Sequence, residues 1–173
     1  MTSEVLFTLL VAAVGVERLA ELVVSKRNAA WSMERGGVET GQGHYPVMVV
    51  LHTGLLAGAL VEVWVRRPDA VPLLAWTMVV LVVASQALRW WCITTLGSRW
   101  NTRVIIVPGL APVTAGPYRW FTHPNYVAVV VEGLALPLVG SAWITALVFT
   151  VANAALLSVR LGVENRALAS LPA

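Results

Sequence analysis

The eleven residues GPYRWFTHPNY, Gly116 to Tyr126, combine an imidazole, a guanidinium, two phenols and an indole with two prolines. Set in water this would be an ordinary surface turn, but here it lies between two strongly apolar runs. Gly116-Pro117 signals a turn. Pro124 lacks an N–H and suits the first turn of a helix, so Thr122 or His123 opens that helix and leaves unpaired backbone N–H groups beside the imidazole. Such an end receives a carboxylate. A second polar group follows near the C-terminus in VRLGVENRAL, where Arg160 and Glu164 are one helical turn apart. By itself that spacing reads as a surface ion pair. Together the two groups place a carboxylate, an imidazole and several aromatic rings in the C-terminal third of the chain.

Other polar residues stand out against the apolar background. Glu17, Arg18 and Glu21 share a face of the first helix; charges at membrane depth face the protein interior and either fix packing or line a cavity. Trp90 and Trp91 read as an interfacial belt. Trp100, Asn101 and Arg103 lie beyond that belt, where they could close over a ligand. His44, His52 and His123 are the histidines on offer as a general base, with none preferred by sequence, and His52 and Glu62 are polar points within apolar stretches. Cys92 has no partner for a disulfide or metal site and reads as a small apolar residue at a helix end.

The elements that position these groups are set by composition. Of 173 residues, 58% are hydrophobic and 12% charged, far from the quarter charged that soluble domains carry. The mean hydropathy is +0.75. The chain is therefore expected to be an all-α integral membrane protein, one domain over 1–173, with three N-terminal spans in 1–93 and a ligand-binding half in 94–173. Spans are expected near residues 4–24, 45–65, 71–93, 127–139 and 141–159, since about 20 apolar residues cross the hydrocarbon and only helices satisfy their own backbone there. The last two, joined through Val139-Gly140-Ser141, form a helical hairpin. The first stretch lacks a basic n-region and is interrupted by charges, so it reads as a retained helix rather than a signal peptide.

The net charge of +3 does not indicate nucleic acid, because the basic residues lie between spans. Lys26, Arg27, Arg35, Arg99, Arg103, Arg119, Arg160 and Arg166 fall on one side of a five-span arrangement and Arg66 and Arg67 on the other. The first side, holding both polar groups and the C-terminus, is expected in the cytoplasm of an inner membrane.

GPYRWFTHPNY, the following VVVEG, and the Arg160-x-x-x-Glu164 spacing resemble the isoprenylcysteine carboxyl methyltransferase family, over about residues 89–168. Its pattern is G-x-Y-x-x-x-R-H-P-x-Y, a helical hairpin, then R-x-x-x-E-E-x-x-L. Thr122 stands where that family has arginine, and Asn165 where a second glutamate is common. Short bacterial members with a first half like this one resemble methyltransferases of phenolic or pyrone lipids made by type III polyketide synthases. The resemblance implies S-adenosylmethionine as cofactor. Its site would comprise Leu110, Ala111, Pro112, Val113, Tyr118, His123, Pro124, Asn125, Tyr126 and Glu164, with Arg160 facing the acceptor and Arg103 nearby. It implies O-methylation of an amphipathic lipid, an alkylresorcinol or alkylpyrone hydroxyl or an isoprenylcysteine-like carboxylate, by a multi-pass protein for which a homodimer is allowed. Phospholipid N-methylation, a nicotinamide-dependent reductase and a small transporter subunit are the alternatives; the absence of an inverted repeat disfavours the last.

Overall fold

The computed structural model describes residues 3–69 and 71–169, so the chain ends of the expected 1–173 domain lie outside the described residues. Five α-helices form the body: α1 (Ser3–Met33), α2 (Tyr45–Arg66), α3 (Pro72–Leu96), α4 (Pro124–Val139) and α5 (Trp143–Ala169). Three of them begin with proline in the first turn, Pro46 in α2, Pro72 in α3 and Pro124 in α4, where the missing N–H costs nothing. α3 packs most closely on α4, and α4 and α5 form the hairpin expected from sequence. Its turn is made when the Gly140 and Ala142 N–H groups both donate to the Pro137 carbonyl.

Helices α2, α3 and α5 are long and apolar enough to cross a membrane. α1 is long enough but carries Glu17, Arg18 and Glu21, and α4, with 16 residues, spans about 24 Å against a hydrocarbon core of about 30 Å. Outward faces bear Leu9, Val16, Val50, Val65, Leu73, Trp76, Leu147 and Val151, each more than half exposed. An apolar surface this continuous suits lipid contact. Inside, Phe7, Val11 and Val14 of α1, Ala59 and Val63 of α2, Val82 of α3 and Ala135 and Leu136 of α4 make the core.

α1 runs well past the expected boundary at residue 24 for a reason visible in its inward stripe. Phe7, Val11, Val14, Glu21, Ser25, Asn28 and Ser32 are all buried and recur at helical spacing. The stripe changes from apolar to polar halfway along. Hydropathy ends the span where the polar half begins, but the helix continues because that half has partners. Ser25 Oγ meets Thr102 Oγ1 at 2.8 Å and accepts from the Thr102 N–H at 3.0 Å. The Asn28 amide donates to the Gly97 and Trp100 carbonyls at 3.0 and 2.8 Å.

The polar segments expected only as loops contain more order than that. Residues Val38–Thr40 (β1) and Val104–Ile106 (β2) pair antiparallel, with Glu39 opposite Ile105. This ribbon, a 3-10 turn at Gly97–Arg99 and another at Gly116–Arg119 gather at one end of the bundle, where α4 begins and α5 ends. Gly116 has φ +55°, and a Cβ there would meet Thr95 and the Trp91 indole, so the turn expected at Gly116-Pro117 needs glycine for both conformation and room.

Candidate functional site

A cavity of about 910 Å³ opens at the end of the bundle that carries the ribbon and continues inward between α1, α2 and α5. That volume lies near the top of the range of small-molecule sites, about 300–1,000 Å³. The 110–113 segment, Tyr118, His123, Asn125, Tyr126, Arg160 and Glu164 all line it. Pro124 does not. It is fully buried behind the wall and sets the start of α4 with His123 as the residue just before it.

At the mouth, Glu164 is the hub. It accepts a hydrogen bond from the Tyr126 hydroxyl and pairs with His123 Nδ1 at 3.3 Å. The other imidazole nitrogen meets Asn165 Oδ1 at 2.8 Å. With an oxygen at each nitrogen, the doubly protonated ring is favoured. The Glu164 carboxylate therefore holds the His123 pKa above its ordinary value against the opposing effect of burial, and Asn165 adds to the upward shift. The His123 and Tyr126 rings stack, centroids 5.5 Å apart. Asn165, the departure from the family pattern, thus fixes the imidazole; Thr122, the other departure, lies in the cavity wall. Burial raises the Tyr118 phenol pKa, and its hydroxyl bonds with Cys92, so the lone cysteine has a partner in the wall.

The surface ion pair that Arg160 and Glu164 suggested is not formed. Arg160 is 5% exposed and donates through Nη2 to the Thr102 carbonyl at 3.0 Å, the same residue that Ser25 of α1 pins. Its Nε and Nη1 have no hydrogen-bond partner among the described residues. Arg103 binds Glu39 at 3.3 Å and lies over the Tyr45 ring, closing one side.

Deeper in, Arg18, Glu21, Arg89 and Glu132 form a network. Arg89 reaches Glu132 at 2.6 Å and Glu21 at 3.5 Å, and Arg18 reaches Glu21 at 2.8 Å and Glu132 at 3.1 Å. Gln86 and Trp90 both donate to Glu17, so Trp90 is tied to the network as well as lying where a belt was expected. Arg18 and Glu21 therefore both fix packing and line the cavity, the two roles that sequence left open, whereas Glu17 lies outside the lining and only fixes packing. Glu62 lies outside the cavity lining. Its carboxylate accepts from the Ile144 and Thr145 N–H groups at 3.1 and 2.8 Å and from the Thr145 hydroxyl, capping α5 from a neighbouring helix, where a negative charge suits the helix dipole.

Among the described residues, the buried side-chain polar atoms without a hydrogen bond concentrate on this cavity. They belong to Arg18, Glu21, Arg89, Trp100, Asn101, Asn125, Asn153 and Arg160, all in its lining, Thr40 being the exception. The Glu21 and Arg89 atoms still face each other as an ion pair; the rest are buried donors and acceptors in the residues around the cavity. Each such group left unmet costs about 1–3 kcal/mol. Trp100 Nε1 is an unpartnered donor, Asn125 Oδ1 an unpartnered acceptor, and Asn101 leaves both amide atoms unpartnered; all three residues line the cavity together with Glu164 and His123. Asn153 was missed by sequence reasoning. Its signal was an amide inside an apolar run, seven residues before Arg160. No group of three or more potential metal ligands occurs among the described residues.

Fold and composition define a helical membrane protein with a cavity lined by polar residues at one end and by apolar residues of α1 and α2 further in. The sequence pattern of the isoprenylcysteine carboxyl methyltransferase (ICMT) family matches residues 78–170. The chain belongs to this family, whose members are integral-membrane methyltransferases. It is also 37% identical over 164 residues to "Uncharacterized protein YpbQ" of Bacillus subtilis (strain 168), an alignment covering 94% of this chain and 96% of the relative. No solved structure matches.

Proposed function

We propose that the protein is an S-adenosylmethionine-dependent O-methyltransferase of an amphipathic lipid, with an alkylresorcinol or alkylpyrone hydroxyl as acceptor and an isoprenylcysteine-like carboxylate as the next choice. α1 and α4 cross the membrane with the other three helices, and the mouth of the cavity faces the cytoplasm, in keeping with the distribution of arginine and lysine. The observation that carries this reading is Arg160, a buried guanidinium with two unpartnered N–H positions on the cavity wall between the Glu164 mouth and the apolar interior.

The donor, when bound, supplies a methyl group on a sulfonium for in-line transfer to an acceptor oxygen. Glu164 offers its remaining lone pairs to the donor's ammonium. The Asn125 amide and the N–H groups that open α4 offer hydrogen bonds to its carboxylate, and the His123 ring, held by Glu164 and Asn165, adds positive charge beside it. Trp100, in the cavity lining, supplies an aromatic face toward a cation. Arg160 holds an anionic or acidic acceptor oxygen through charge-assisted hydrogen bonds, so alignment and exclusion of water carry the rate and no strong base is needed. The acceptor tail lies along Val16, Leu19, Val49 and Leu56, which line the cavity on α1 and α2; Val16 and Leu19 are more than half exposed, which suits a sideways path from lipid. N-methylation of a phospholipid would call for an anion, not Arg160, opposite the acceptor.

Calorimetry with S-adenosylhomocysteine and NADPH on the purified protein tests the donor. Micromolar binding of the first and none of the second is expected, and the reverse would end the methyltransferase reading. Radiolabelled methyl transfer to alkylresorcinol, to a prenylcysteine and to phosphatidylethanolamine then ranks the acceptors. Transfer only to the amine would overturn the O-methyl assignment.

A further inference from the structure

Asn153 has no task in the scheme above. It lies in α5, 3% exposed, and its Oδ1 has no hydrogen-bond partner among the described residues. An unpaired amide at this depth is costly, yet its side chain faces the cavity. Asn153, Leu157, Arg160 and Glu164 recur at intervals of four, three and four, so they form one stripe along the wall. Asn153 is seven residues from Arg160, about 10 Å along the axis.

The wall facing this position is polar too. His52 Nδ1 bonds with the Met48 carbonyl at 2.9 Å; a carbonyl only accepts, so Nδ1 carries the proton and Nε2 keeps a lone pair. The imidazole meets the Phe149 ring edge-on at 5.3 Å, one turn before Asn153. Phe149 in turn sits against Gly133 so closely that a Cβ there would collide with its ring. Arg18 Nε, also in the lining, is unpartnered. His52 itself is too far from Arg160 to take a proton at the reacting oxygen: its contact Phe149 is eleven residues, about 16 Å of rise, before Arg160.

We propose that Asn153 determines acceptor specificity by pairing with a second hydroxyl on the acceptor head, deeper in the cavity than the oxygen held by Arg160. An amide both donates and accepts, as a hydroxyl does. A head with one oxygen followed directly by hydrocarbon leaves that amide unmet. The proposal rests on the O-methyltransferase reading and narrows its acceptors to heads bearing two oxygen functions.

Two probes of equal tail length separate the outcomes, a pentadecylresorcinol and the pentadecylphenol lacking one hydroxyl. Their affinities are read from tryptophan quenching in detergent, with S-adenosylhomocysteine binding measured in parallel. The wild type is expected to prefer the resorcinol by about tenfold or more. Asn153→Leu abolishes that preference by weakening the resorcinol alone, leaving phenol and S-adenosylhomocysteine binding unchanged. If Asn153→Leu does not fold, Asn153→Ala gives the same comparison. Equal affinities in the wild type, or a preference that survives the substitution, overturn the assignment of Asn153. Loss of S-adenosylhomocysteine binding in the wild type instead overturns the methyltransferase reading, while the two acceptor affinities still decide the role of Asn153.

Discussion

Replacing Glu132 with leucine removes the carboxylate on which two arginines converge. Glu132 is 4% exposed, with Arg89 at 2.6 Å and Arg18 at 3.1 Å. Arg18 keeps Glu21 and Gln86, but Arg89, itself 5% exposed, keeps only the 3.5 Å approach to Glu21. Breaking one partner out of a buried pair costs about 3–5 kcal/mol, and the surviving contacts place Glu132→Leu at the lower end, about 3 kcal/mol. For a chain of this size that is a fall of roughly 6–12 °C in Tm. Arg89→Leu should cost a similar amount. In the double variant no uncompensated charge remains at that contact, so its loss should fall short of the sum of the singles by about 1–3 kcal/mol. Thermal unfolding in detergent, followed by tryptophan fluorescence, measures all four proteins. Added salt should leave the differences unchanged, because a buried pair is screened little. Single losses below about 2 °C, or losses that add, would refute the idea that this network holds α1 against α3 and α4.

Arg160→Gln should lower turnover about a hundredfold or more while leaving S-adenosylhomocysteine affinity within about threefold, since a charge-assisted contact to the acceptor is lost and the mouth is untouched. Glu164→Gln should do the opposite, weakening S-adenosylhomocysteine about tenfold or more in calorimetry. Because pairing with Glu164 raises the His123 pKa above its ordinary 6.5, its contribution to stability is complete below that value and is lost as pH rises through the raised one. The Tm difference between wild type and His123→Gln should therefore shrink as pH climbs past 6.5, and a difference constant from acid to alkaline pH would count against the pairing. Glu62→Ala should lower stability by about 1–2 kcal/mol by uncapping α5, with Glu62→Gln intermediate because an amide oxygen still accepts.

Much of the scaffold was legible because lipid leaves few choices. Apolar runs must become helices, the short link at 139–141 must reverse the chain, and proline at Pro124 must sit in a first turn; the structure has each of these. His123, Tyr126 and Glu164 were also legible, through the motif that carries the family resemblance. Asn153 was not, since a single amide in an apolar run says nothing about whether a partner awaits it. Glu62 read only as a polar point in an apolar stretch, because nothing local reveals that the start of α5 lies beside it.

The sequence by itself determined which segments are helical, where they begin and which polar residues lie close along the chain, because those depend on local sterics and hydropathy. Only the tertiary structure decided partners across distance. Ser25 of α1 holds Thr102, and Thr102 holds Arg160, whose guanidinium lies 5.8 Å from the Tyr126 ring centroid rather than pairing with Glu164, four residues along its own helix. Glu164 turns instead to His123 and Tyr126 at the start of α4. The physical reason is that a buried charge takes whichever partner the packed helices bring within reach, and hydrophobic packing sets that reach without regard to sequence separation.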